Sequence, residues 1–142
     1  MARPTRTYKL KVSPAGFDMI VESHARFVRV TRTLLPYGLA LHAALHHLAA
    51  LDDDARLDAV REFPRLALGG GRSGSDLFVG APRGLSDLAD GLLADLSPRL
   101  APWPSPGKAD LYLIALHSVI DANTDHLLSA YGRVAAGSLL GQ

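Results

Sequence analysis

The side chains best equipped for chemistry in this chain are its histidines. His42 and His46 stand one helical turn apart with His47 beside them. His117, Asp121 and Asp125 form a second row at the same spacing, with His126 adjacent. Residues at i and i+4 share a helix face. Two such helices in a bundle could turn a pair of imidazoles and a His-Asp-Asp row toward one divalent metal, and an open coordination position would support hydrolysis. His42, His46, His117 and Asp121 are the candidate ligands. The pattern departs from the zinc-protease spacing, which needs a glutamate after the first histidine, where Ala43 stands. A His–Asp pair at this spacing also serves as an ordinary surface pair. No catalytic residue, cofactor or enzymatic activity is assigned.

Two other runs invite a ligand and lack the parts to hold one. Gly69-Gly70-Gly71-Arg72-Ser73-Gly74-Ser75 resembles a phosphate loop but carries no lysine and follows no buried strand, so it reads as a linker. Asp52-Asp53-Asp54 lacks the alternating ligands and central glycine of a calcium loop, and reads as a helix start with acids at its positive end. There is no cysteine, which excludes disulfides, thiolate metal sites and cysteine nucleophiles.

A third group is positional. From residue 6 to 13, Tyr8, Leu10 and Val12 alternate with Thr7, Lys9 and Lys11, a period of two that predicts a short strand with one apolar and one polar face. An edge strand guarded by lysines would show the same alternation. The surrounding charge is uneven. Residues 1–51 carry seven basic groups, Arg3 and Arg6 among them, against Asp18 and Glu22, a balance of +5; residues 52–142 carry eight basic groups against twelve acidic ones, a balance of −4. Such segregation suggests a polyanion partner for the first third.

The elements that must position these groups are mostly helical. At 142 residues and 48% hydrophobic, with 6% aromatics, the chain can bury one core built from Leu, Ala and Val. Ser13 caps a helix that Pro14 begins, with Phe17, Ile20, Val21, His24, Phe27 and Val28 on its apolar face. After a break at Val30–Thr33, a second helix runs to Leu51. It is apolar over most of its circumference, and Thr33 is its expected cap. A third helix opens at Asp52–Asp54 and runs through Arg65. Residues 69–84 hold six glycines and read as a loop. Leu85 to Leu100 mark an amphipathic helix, residues 98–106 a proline-rich connector around Trp103, and a last helix runs from Lys108 to Gly132 or beyond. Trp103 could dock a partner or lie as a lid over the bundle; the lid is the expectation. No repeat is found along the chain. The stretch Leu34–Leu51 is interrupted by Pro36 and three histidines and is a poor membrane span, and no hydrophobic signal core follows the N-terminus. A soluble cytoplasmic protein is the expectation.

The order strand, serine-led helix, Thr-Arg-Thr break and apolar second helix, over about residues 5–50, resembles the ribbon-helix-helix family of DNA-binding repressors. Tyr8 to Ser13, Phe17, Ile20, Ala25-Arg26, Val30 to Thr33, Leu34-Leu35 and Leu39 to Leu41 carry the likeness. Two features depart from it. Val28-Arg29 stand where the family has a glycine between the helices, and Pro36 comes early in the second helix.

The resemblance implies a dimeric module at 1–51, with an antiparallel ribbon of one strand from each chain in the major groove. Tyr8, Leu10, Val12, Leu34 and Leu41 would close the dimer core. Thr7, Lys9 and Lys11 would face base edges, Thr31, Arg32 and Thr33 would hold a phosphate at the start of the second helix, and Arg3 and Arg6 would form a basic arm. Residues 52–142 would be a helical segment covering the second helix, able to add a protein partner or a further interface. The expected protein is therefore mainly α and homodimeric or higher, and binds double-stranded DNA as a transcriptional repressor or a plasmid or partition regulator. The alternative is an all-helical interaction subunit of a larger complex, and the third reading is the metal-binding bundle.

Overall fold

The computed structural model describes residues 5–70, 74–82 and 84–140. Its elements are β1 (Thr5–Val12), α1 (Pro14–Thr31), α2 (Tyr37–Ala50), α3 (Asp53–Leu66), β2 (Ser75–Pro82), α4 (Gly84–Leu100), α5 (Lys108–Val119) and α6 (Thr124–Leu140). The described chain is thus mainly helical with one small antiparallel sheet, and strand–helix–helix–helix occurs twice. β1 pairs with β2 along its whole length, from Thr5 opposite Pro82 to Val12 opposite Ser75. None of its helices is long and apolar enough to cross a membrane.

The two passes exchange packing partners. α2 and α5 lie against each other at the centre; α1 packs on α5 and α4 on α2; α6 packs on α2 and α3 on α5; β1 meets α5 and β2 meets α2. Each of these contacts made by one pass has its counterpart in the other, which is the pattern of an approximate two-fold axis. Burial follows the same correspondence. Gly16, Ile20, Ser23 and Phe27 on α1 are buried, as are Leu85, Ala89, Leu92 and Leu96 at matching places on α4. Leu41, Ala44, Leu45 and Leu48 on α2 match Tyr112, Ala115, Leu116 and Val119 on α5, all buried. Residues 1–51 and 52–142 therefore share one sheet and one core.

Local signals explain most of the element ends. Ser13 accepts a hydrogen bond from the Gly16 amide at 3.0 Å, and its hydroxyl donates to the Ala67 carbonyl at 2.6 Å. Asp52 caps α3 through the Ala55 amide at 2.8 Å, and Asn123, at the matching place before α6, accepts from Asp125 N at 2.8 Å. α2 has few polar positions because α5, α6 and β2 all pack on it. A helix covered on several sides can be apolar all round.

Several expectations need correction. The glycine-rich stretch 69–84 contains β2, whose missing partner signal lay far away in β1. The chain does contain a repeat, carried by burial and packing rather than by residue identity. The expected single helix from Lys108 to Gly132 is two helices, broken over 120–123, where Asn123 starts a new one. α2 begins after Pro36, which occupies the cap position expected of Thr33. α4 continues to Leu100 with Pro98 in its last turn, so the connector begins later than expected. The buried stripe of α1 is rotated toward Gly16 and Met19, leaving Phe17 and Val21 about half exposed. Gly16 sets that rotation, since any Cβ there would run into the Leu68 carbonyl.

Candidate nucleic-acid interface

The pleat sends successive side chains of a strand to opposite faces. On β1 the inward set is Tyr8, Leu10 and Val12, all buried, with the Tyr8 ring edge-on to Tyr112 at 5.7 Å. On β2 it is Leu77, half-buried, with Val79 and Ala81 buried. The outward set is Thr7, Lys9 and Lys11 from β1 and Asp76, Phe78 and Gly80 from β2, all exposed. The register places Lys11 opposite Asp76, Lys9 opposite Phe78 and Thr7 opposite Gly80. Phe78 is 69% exposed, a large apolar ring held in solvent on a ribbon whose other face is core. Lys9 Nζ approaches Asp76 at 4.0 Å, with both side chains well solvated. Such a pair contributes little to stability and leaves the lysine free to exchange partners.

Thr7, Lys9 and Lys11 thus stand together on one accessible face, as the sequence suggests. Asp76, Phe78 and Gly80 complete that face; they lie in the stretch whose glycines predict a loop. The alternation of Leu77, Val79 and Ala81 is the signal that could have found them. Arg3 and the side chain of Arg6 lie outside the described residues.

The other expected contacts are arranged differently. Thr31, Arg32 and Thr33 sit at the C-terminal end of α1, with Arg32 in the left-handed region at φ 55°. The Thr31 hydroxyl donates to the Phe27 carbonyl at 2.7 Å and Thr33 to the Thr31 carbonyl at 3.1 Å. They lie ahead of Pro36 rather than beside the first amides of α2, and a helix C-terminus carries the sign of charge that disfavours an anion. The expected phosphate clamp at the start of α2 is therefore not formed by these residues. Tyr8, Leu10, Val12 and Leu41 are buried within the chain itself, because β2 and α5 supply what a second chain was expected to supply. Leu34 is 91% exposed in the turn before α2 and takes no part in the core.

Four of the histidines fall into two ring pairs. The rings of His42 and His46 lie 4.9 Å apart and those of His47 and His126 6.3 Å apart. Asp121 falls in the turn between α5 and α6, which breaks the row expected from His117 to Asp125. Among the described residues no three His, Asp or Glu side chains converge as a metal site. Burial holds the His42 imidazole down to about 4, and the neighbouring His46 adds to the effect. His46 is lowered by burial and then by Arg133; His47 is lowered by burial and by His126, against an opposing backbone hydrogen bond at Ser118. All three stay neutral near pH 7, which lets α2 sit in the core.

Trp103 is 66% exposed and lies outside the core rather than covering it as a lid. It forms one wall of a groove of about 580 Å³ with Val60, Arg61, Pro64, Arg65, Leu100 and Pro104. Comparison with known protein families, with curated proteins and with solved structures finds no match to this chain.

Proposed function

We propose that this protein binds double-stranded DNA through the outward face of the β1–β2 ribbon and acts as a non-catalytic regulator of the bound site. One observation carries the reading: a two-stranded antiparallel ribbon presents Thr7, Lys9 and Lys11 to solvent while its opposite face is anchored in the core. A ribbon of this width enters the major groove of B-DNA, where lysines match the guanine O6 and N7 acceptors. The likeness of residues 5–50 to ribbon-helix-helix repressors supports the same use of the strand. In that family the second strand comes from a second chain. Here β2 takes its place, so a single chain carries a complete ribbon.

The test is a titration of fluorescently labelled B-form DNA duplex at several salt concentrations, with an RNA duplex as comparator. Binding should weaken steeply with salt. The RNA should bind more weakly, because its major groove is deep and narrow. Absence of DNA binding at low salt would remove the reading.

A further inference from the structure

The two strands of the ribbon hold corresponding places in the two repeats but point different side chains outward. When Tyr8 is matched to Leu77, Leu10 to Val79 and Val12 to Ala81, the inward positions agree in apolar character and direction. The same correspondence continues into the helices, pairing Gly16 with Leu85 and Phe27 with Leu96. It then pairs Thr7 with Asp76, Lys9 with Phe78 and Lys11 with Gly80 on the outward face. No outward position carries the same residue in both strands.

The register turns these differences into unlike ends. Lys9 and Phe78 face each other at the middle of the correspondence, so the approximate axis passes between them. On one side Lys11 stands opposite Asp76, and on the other Thr7 stands opposite Gly80. One end of the ribbon is charged and the other is small and nearly bare. Two identical strands would show the same three side chains twice and read a two-fold symmetric sequence, since site symmetry mirrors protein symmetry.

We propose that this chain reads an asymmetric duplex site, one chain per site, with unlike sequences under the two ends of the ribbon. The proposal rests on the DNA reading above. Lys11 and Asp76, a donor beside an acceptor, complement the guanine acceptors and the cytosine amino group of a G·C pair. Phe78 at the centre matches the methyl group of thymine, beside the guanine preference of Lys9. The Thr7–Gly80 end offers one permissive hydroxyl and tolerates several bases.

The experiment is selection from a randomised duplex library with the full chain, followed by sequencing and by titration of the winning site. The expected consensus has no two-fold symmetry and places its strictest G·C preference at one end. Replacing that G·C pair should weaken binding roughly ten-fold or more, as a mismatch in a specific site does.

The variant Asp76→Thr/Phe78→Lys/Gly80→Lys repeats the outward Thr-Lys-Lys of β1 on β2. All three positions are exposed, and a Cβ at Gly80 meets no atom within 4 Å. It should select a two-fold symmetric consensus. The wild-type consensus decides the matter even if this variant does not fold. A symmetric consensus from the wild type would overturn the inference and leave the DNA reading standing, as would salt-dependent binding without any enriched sequence. Failure to bind any duplex would overturn both.

Discussion

Phe27 in the first repeat occupies the place of Leu96 in the second, and Ile20 that of Ala89; all four are buried. The outward residues of the two strands, by contrast, differ in charge at all three positions. The inner positions must satisfy one close-packed core, and the exchanged packing of α1 on α5 and α4 on α2 imposes the same demand on both halves. The ribbon face has no such partner among the described residues. Each half has therefore been free to carry different chemistry there, and an asymmetric outer face sits on a nearly symmetric frame.

The largest effect should come from breaking the shared core. Phe27→Ala and Leu96→Ala each open a cavity at matching positions and should each cost about 2–5 kcal/mol in urea unfolding. Both should shift a single transition without changing its slope, because neither half has a separate core. Two resolved transitions would show that the halves unfold independently.

A second comparison uses a position that is tight in one half only. A Cβ on Gly38, at the start of α2, would run into the Gly80 carbonyl, so Gly38→Ala should destabilise by about 1–3 kcal/mol. The matching residue on α5 is Ala109, which already has a Cβ. An unchanged urea midpoint for Gly38→Ala would mean that α2 and β2 approach less closely than described.

The caps of the two third helices offer a smaller test. Asp52→Ala removes a bond to the Ala55 amide and should cost about 1 kcal/mol; Asn123→Ala, whose bond spans only two residues, should cost less. Thermal unfolding of the two variants would order them.

An electrostatic effect, visible only in acid, belongs to α2. His42 is lowered from its ordinary 6.5 to about 4, so the unfolded chain takes up its proton first. Stability from this residue is fully present above pH 6.5 and is lost as pH falls toward 4. The matching position on α5 holds Leu113. His42→Leu should therefore retain more of its neutral-pH stability at pH 5 than the wild type does, and an identical pH dependence would remove His42 as a contributor.

Much of this frame was legible locally. The alternation of Tyr8, Leu10 and Val12, the Ser13-Pro14 start and the Asp52 cap each act within a few residues, and each element formed where those signals stand. β2 was not legible because Gly80 and Pro82 weaken a strand pattern and because its partner, β1, is distant in sequence. The repeat was hidden for a related reason: burial requires an apolar residue at a place, and Phe27 and Leu96 meet that demand without resembling each other. For the interface, the lysines could be read and half of the face could not. The role expected of Thr31, Arg32 and Thr33 failed on a turn whose left-handed residue is Arg32 rather than a glycine.

Removing equal charge from two surfaces asks whether the ribbon face is where DNA binds. Lys9→Ala/Lys11→Ala takes two positive charges from the ribbon, and Arg61→Ala/Arg65→Ala takes two from the Trp103 groove. In duplex titrations over a range of salt, the ribbon variant should bind more weakly. The slope of log affinity against log salt should flatten by about one unit for each lysine that neutralises a phosphate. The groove variant should bind as the wild type does. Equal losses from both variants, or undiminished binding by the ribbon variant, would contradict the assignment.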